Sequence, residues 1–257
     1  MTERQWLVQN TTEEEWRRCG SMTAMPHNLD YCFGRCGVLF AAACCRTVWH
    51  LLPDEPGRAA VLAAERYAGG DATREELEAA EQRAYEAGEA MFGAMPGLAW
   101  KASPAWHAMW AAASFTGAMS GRRPLSGASY HARHAVAWQT VPAPERRAER
   151  DEMIRSEAVR QWGFVRDIFG SPHRPVALDA VCLTPAVVSL ARAAWEHRVA
   201  PDATRPGWLV LDPERLLALA AALADAGCDD ADCLGHLRGP GTHIRGCHVL
   251  DLLLGKG

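Results

Sequence analysis

Apolar residues recur along this chain at the three- and four-residue spacing of amphipathic helices, and almost nowhere at the alternating spacing of strands. The clearest stretch is 145–169. There Ile154, Ala158, Trp162, Val165 and Phe169 form one stripe, while Arg146, Arg147, Arg150, Arg155 and Arg160 and interleaved acids fill the other face. Gly170-Ser171-Pro172 closes that helix. Leu39, Phe40, Ala43, Cys44 and Val48 repeat the rhythm within 31–52, which ends at Pro53. Helices are expected over 58–68, stopped by Gly69-Gly70, and over 74–92, a solvated face of Glu, Arg and Ala.

Punctuation sharpens the later boundaries. Thr184-Pro185 and Asp212-Pro213-Glu214 each place a capping oxygen before a proline at the first helical position, which predicts helices over 186–198 and 213–226. Thr12 with Glu15 is a similar start near the N-terminus. After Gly227, Asp229 or Asp230 caps a short helix to Leu237, Gly239-Pro240-Gly241 reverses the chain, and a last helix is expected from about Thr242 to Leu254. Strand-like pattern is confined to 208–211. The expected fold is all-α, a helical bundle-like domain with a C-terminal helix-turn-helix hairpin. Its regions are an N-terminal helical one (1–119), a loop-rich crossing (120–144) and a C-terminal helical one (145–257), unless all form a single compact domain.

Composition changes this picture little. The 257 residues, 49% apolar and 23% charged, are ordinary for a globular protein. A net charge of -4 gives no overall basic field for nucleic acid. The N-terminus lacks the basic start and apolar core of a signal peptide, and the apolar runs are too short to span a bilayer, so a cytoplasmic protein without a membrane partner is expected. In a reducing compartment, nine cysteines are expected to be buried thiols or metal ligands rather than disulfides.

The tail concentrates the candidate chemistry. Cys233 and His236 are three apart, and His243 and Cys247 four apart, so each pair shares one helical face. Two antiparallel helices joined by a short turn aim both pairs at one point, giving two thiolates and two imidazoles, a set that zinc takes as a closed tetrahedron. Cys228 can stand in for Cys233. The plain alternative is buried thiols and capping histidines around a Gly-Pro-Gly turn. Cys32, Cys36, Cys44, Cys45 and His50 form a second candidate group, and His131 with His134 a third. Trp106 and Trp110 share a face, for core packing or an aromatic pocket. The chain has no nucleophile elbow, Walker loop, dinucleotide fingerprint or H-E-x-x-H helix. A Cys45 nucleophile with His50 as base is disfavoured by their five-residue spacing.

Several stretches carry a resemblance. The segments 39–52, 64–70, 167–175, 183–192 and 226–256 are similar to those of an uncharacterised bacterial family whose members show L-F-A-C-A-C-C-R-R-V-W-H-L-L near the start. The same proteins close on A-G-C-x-x-A-x-x-L-x-H-x-R-G-P-G-x-H-x-R-G-C-W-V-V-D-L-L-L-G-K. Cys228, His236, His243 and Cys247 fall on family-pattern positions and Cys233 on a variable one, so the resemblance prefers Cys228 as the fourth ligand. Ala42 stands where the family has cysteine, and His248 where it has tryptophan. The family implies no activity. The function expected is a zinc-stabilised helical binding or regulatory module acting through a protein partner. The rivals are a metal- or thiol-dependent enzyme at the same Cys/His site and a metal-free helical scaffold.

Overall fold

A computed structural model of the chain describes residues 3–18, 34–53, 55–97, 99–114 and 126–256. The fold is all-α. Among the described residues there are twelve α-helices and one two-stranded ribbon. They are α1 (Glu3–Asn10), α2 (Glu13–Arg18), α3 (Arg35–Thr47), α4 (Glu55–Gly69), α5 (Arg74–Ala94), α6 (Pro104–Ala112), α7 (Ser126–Thr140), α8 (Arg147–Phe169), α9 (Pro185–Glu196), α10 (Pro213–Asp225), α11 (Ala231–Arg238) and α12 (His248–Leu253). No described helix is long and apolar enough to cross a membrane.

The capping chemistry works as written in the sequence. Thr12 and Glu15 exchange hydrogen bonds with each other's backbone N–H groups, and Thr73 with Glu76 does the same before α5. Thr184 accepts from the Val187 N–H, Asp212 from Glu214 and Asp230 from Cys233, so α9, α10 and α11 start where their caps place them. Residues 21–30, where Pro26 predicts a loop, lie outside the described residues.

Side chains pack into two apolar cores. The first surrounds α3, which is buried almost from end to end, and draws on α4 to α8 through Val61, Leu77, Met109, Trp162 and Phe164. The second lies among α9 to α12, around Leu216, Leu219, Leu223 and Leu250. The segment 208–250 straddles them: Trp208, Val210 and Ile244 enter the first core, and Leu211, Cys247 and Val249 the second. β1 (Arg198–Val199) and β2 (Val210–Leu211) pair antiparallel here, with Arg198 opposite Leu211. Arg35 at the start of α3 grips both carboxylate oxygens of Asp251 on α12, tying the tail back to the first core.

Two elements differ from expectation. Residues 126–140, read as part of a loop-rich crossing, form α7. Its buried stripe is Ala128, Ala132, Ala135 and Val136, spaced for a helix but built of side chains too small to give a strong apolar signal. The first core therefore continues across the expected regional boundary. The last helix is also shorter than expected. It begins at His248, not near Thr242, because tertiary hydrogen bonds capture the preceding backbone. The Leu211 N–H donates to the His243 carbonyl, the Ile244 N–H donates to Asp167, and Gly246 sits at φ +102°, outside helical geometry.

Candidate metal centre

The C-terminal turn of α8 carries Asp167, buried at 2% exposure. A buried carboxylate must be neutralised or saturated with donors, and three donors converge on this one. Oδ1 accepts from His243 Nδ1 at 2.7 Å and from His236 Nε2 at 3.0 Å, and Oδ2 accepts from the Ile244 N–H at 2.7 Å. Burial alone would raise its pKa. The two imidazole donors outweigh that and hold the carboxyl far below the usual carboxylate range.

Cys247 completes the group, its Sγ lying 3.2 Å from His236 Nε2. One donor atom each from Asp167, His236, His243 and Cys247 lies within 4.8 Å of every other, so the cluster can hold a metal ion. His236 comes from α11, His243 and Cys247 from the bent segment before α12, and Asp167 from α8. A tetrahedral ion with bonds of 2.0–2.3 Å sets its donors about 3.3–3.8 Å apart. Three contacts of 2.7–3.2 Å are tighter than this and the other separations lie within 4.8 Å, so seating an ion would open the first and close the rest. Nδ1 is the His243 nitrogen that faces the cluster, and Nε2 is buried on the other side of the ring.

Electrostatics fit a cation. Burial lowers the pKa of His243, but Asp167 overrides it and the net shift is upward. Burial, then the charge of Asp167, pushes the Cys247 thiol well up. Without an ion Cys247 is therefore a neutral thiol, whereas coordination would deprotonate it outright. His248, the neighbour of Cys247, places Nδ1 2.9 Å from the Asp167 carbonyl and stacks against His236 at 4.2 Å between centroids.

Compared with family models, with curated proteins and with solved structures, the chain matches none.

Three of the expected tail residues meet: His236, His243 and Cys247. Cys228 does not join them, and Cys233 does not replace it. Both face the second core, where Cys228 is in side-chain contact with Cys182 and with Cys233, and burial pushes the Cys233 thiol up to about 12. Helical geometry explains the difference. Cys233 lies three residues, about 60°, round α11 from His236 and is buried at 0% exposure in the second core with Leu237, while His236 reaches Asp167 and Cys247. The fourth position falls to Asp167, in sequence one more acid of an amphipathic helix. Its signal was an acid among Val165, Ile168 and Phe169 at the core-facing end of that helix.

The other candidates do not converge. Cys32 lies outside the described residues. Cys44 and Cys45 are fully buried in the first core, where burial raises both thiols, and His50 Nε2 pairs with Gln139 instead. A buried, protonated Cys45 is no nucleophile. His131 Nδ1 meets His107 Nδ1 at 3.1 Å, and His134 Nδ1 donates to the Tyr130 carbonyl. Trp106 packs against Trp100, Trp110 and His131, so this face is an aromatic and imidazole stack.

Proposed function

We propose that Asp167, His236, His243 and Cys247 hold a zinc ion that pins the tail to α8. On this reading the chain is a zinc-stabilised helical binding or regulatory module acting through a protein partner. The observation that carries it is the convergence of four buried or half-buried donors from segments 69 to 80 residues apart within 4.8 Å. Two imidazoles, one thiolate and one carboxylate suit zinc, which takes nitrogen, sulfur and oxygen donors together. Four protein ligands would leave no position for a reacting water, which favours a structural ion over a catalytic one. The likeness to the bacterial family belongs to the same proposal, since three of the four donors fall on its closing motif.

In solution, chelation is expected to lower the unfolding temperature by about 5–10 °C, the size that follows from losing a tightly bound ligand in a chain this long. Added zinc should restore it. An unfolding curve indifferent to chelator and to zinc would sink the structural reading and leave a metal-free helical scaffold.

One observation favours the enzyme as a second reading. A cavity of about 190 Å³ lies against His236 and His248. Of the four donors His236 lines it, so loss of a protein donor on that side would admit water or substrate to the ion. X-ray absorption of the zinc-loaded protein separates the two readings: four protein donors for the module, three and a water for the enzyme.

A further inference from the structure

A cavity lies beside His236. Its walls come from α2 (Trp16), the last turn of α8 with the loop after it (Arg166, Gly170, Ser171, Arg174, Val176), α11 (Asp232, His236) and α12 (His248). At about 190 Å³ it has room for roughly six waters at about 30 Å³ each. Trp16 and Val176 make one side apolar, and the other carries charge.

Two guanidiniums line the cavity. Arg166 is half-buried and donates to the Arg17 carbonyl at 2.8 Å, and no carboxylate among the described residues comes within ion-pair distance of it. Arg174 is ion-paired on two sides, with Glu13 at 3.5 Å and with Asp232 at 3.7 Å. With Arg174 held by Glu13 and Asp232, Arg166 is the guanidinium of the lining that no described carboxylate meets. A cation at the wall of a cavity, without an acidic partner, favours an anionic occupant.

We propose that this cavity binds a small oxyanion, a phosphate or carboxylate group bearing a short apolar part. Arg166 and Arg174 hold the oxygens, and Trp16 and Val176 receive the apolar part. Guanidiniums match both groups with paired N–H donors. Gly170 is built into the site: its φ of +61° favours glycine, and a Cβ there would come within 2.7 Å of the His248 ring. This proposal needs no metal.

The test is calorimetric titration of the full chain with inorganic phosphate and, separately, with succinate, at low ionic strength, zinc content being measured on the same samples. Saturable binding of either probe is expected, the responding probe telling phosphate from carboxylate. It should weaken at least about tenfold in Arg166→Gln, the loss of one charge-assisted contact. Arg166 also holds the Arg17 carbonyl, so Arg174→Glu provides a second variant at an exposed position and should abolish binding. No saturable binding of either probe would overturn the proposal, as would binding undiminished in folded Arg174→Glu. A chain that binds phosphate but never zinc would defeat the metal reading and leave this one standing.

Discussion

At the scale of residues, one carboxylate decides how the tail is held. Asp167 accepts from two imidazoles and a backbone N–H at once, so removing it strips the shared acceptor from buried His243, half-buried His236 and the buried Ile244 N–H. Asp167→Ala is expected to cost about 3–5 kcal/mol, the usual loss when one partner of a buried charged group is deleted. Urea unfolding measures it, and a loss under about 1 kcal/mol would mean the contacts are incidental. Gly170→Ala should cost about 1–3 kcal/mol through its positive φ alone. It should also displace the His248 ring, visible as shifted imidazole resonances; an unshifted ring would contradict the packing described. The residue types of the site were half legible in advance. His236, His243 and Cys247 announce themselves because histidine and cysteine are rare and carry donor atoms. Asp167 does not, because an aspartate in an arginine-rich helix reads as one more solvated charge. Cys228 misleads for the opposite reason: a soft donor at a suggestive position prefers the apolar core when nothing draws it out.

At the scale of elements, the sequence marks helix starts well, because a cap is a local hydrogen bond between residues three apart. α5, α9, α10 and α11 begin where Thr73, Thr184, Asp212 and Asp230 place them. Elements settled by distant contacts are less legible. α7 rests on an alanine face whose value lies in close approach to its neighbours, and the start of α12 is delayed by hydrogen bonds to Leu211 and Asp167, which no local pattern encodes. The pairing of α6 with α7 also makes a pH prediction. His107 donates through Nε2 to the Lys101 carbonyl and meets His131 Nδ1, with His134 close by. Burial first, and then the neighbouring His134, lowers its pKa to about 4, against the opposing Lys101 carbonyl. The unfolded chain therefore binds a proton here before the folded one does. The stability that neutral His107 contributes is fully present above about pH 6.5 and is lost as pH falls toward 4, a total of about 3 kcal/mol. Denaturant unfolding between pH 7 and 4 should show this slope, and His107→Gln should flatten it. An equal slope in both proteins would contradict the assignment.

At the scale of the whole molecule, the tail joins two cores. Glu65 on α4 sits 5% exposed among Arg46, Arg198 and Arg245, so α3, β1 and the bent segment before α12 all meet one carboxylate. Glu65→Gln should cost about 3–5 kcal/mol by stranding these guanidiniums, whereas removing Glu65 and Arg46 together for apolar residues should recover part of it. Urea unfolding of the single and double variants tests this, with strictly additive losses as the contrary result. A sequence reader sees an all-α chain with a loaded tail; that the tail straddles both cores, and so brings α8 to its histidines, follows only from the packing. The centre formed there is the claim on which the account stands. Anomalous scattering from crystals of the purified protein at the zinc edge tests it most directly. The account predicts one peak about 2.0–2.3 Å from donor atoms of Asp167, His236, His243 and Cys247. A map without that peak, or with one only at Cys228 and Cys233, would contradict it.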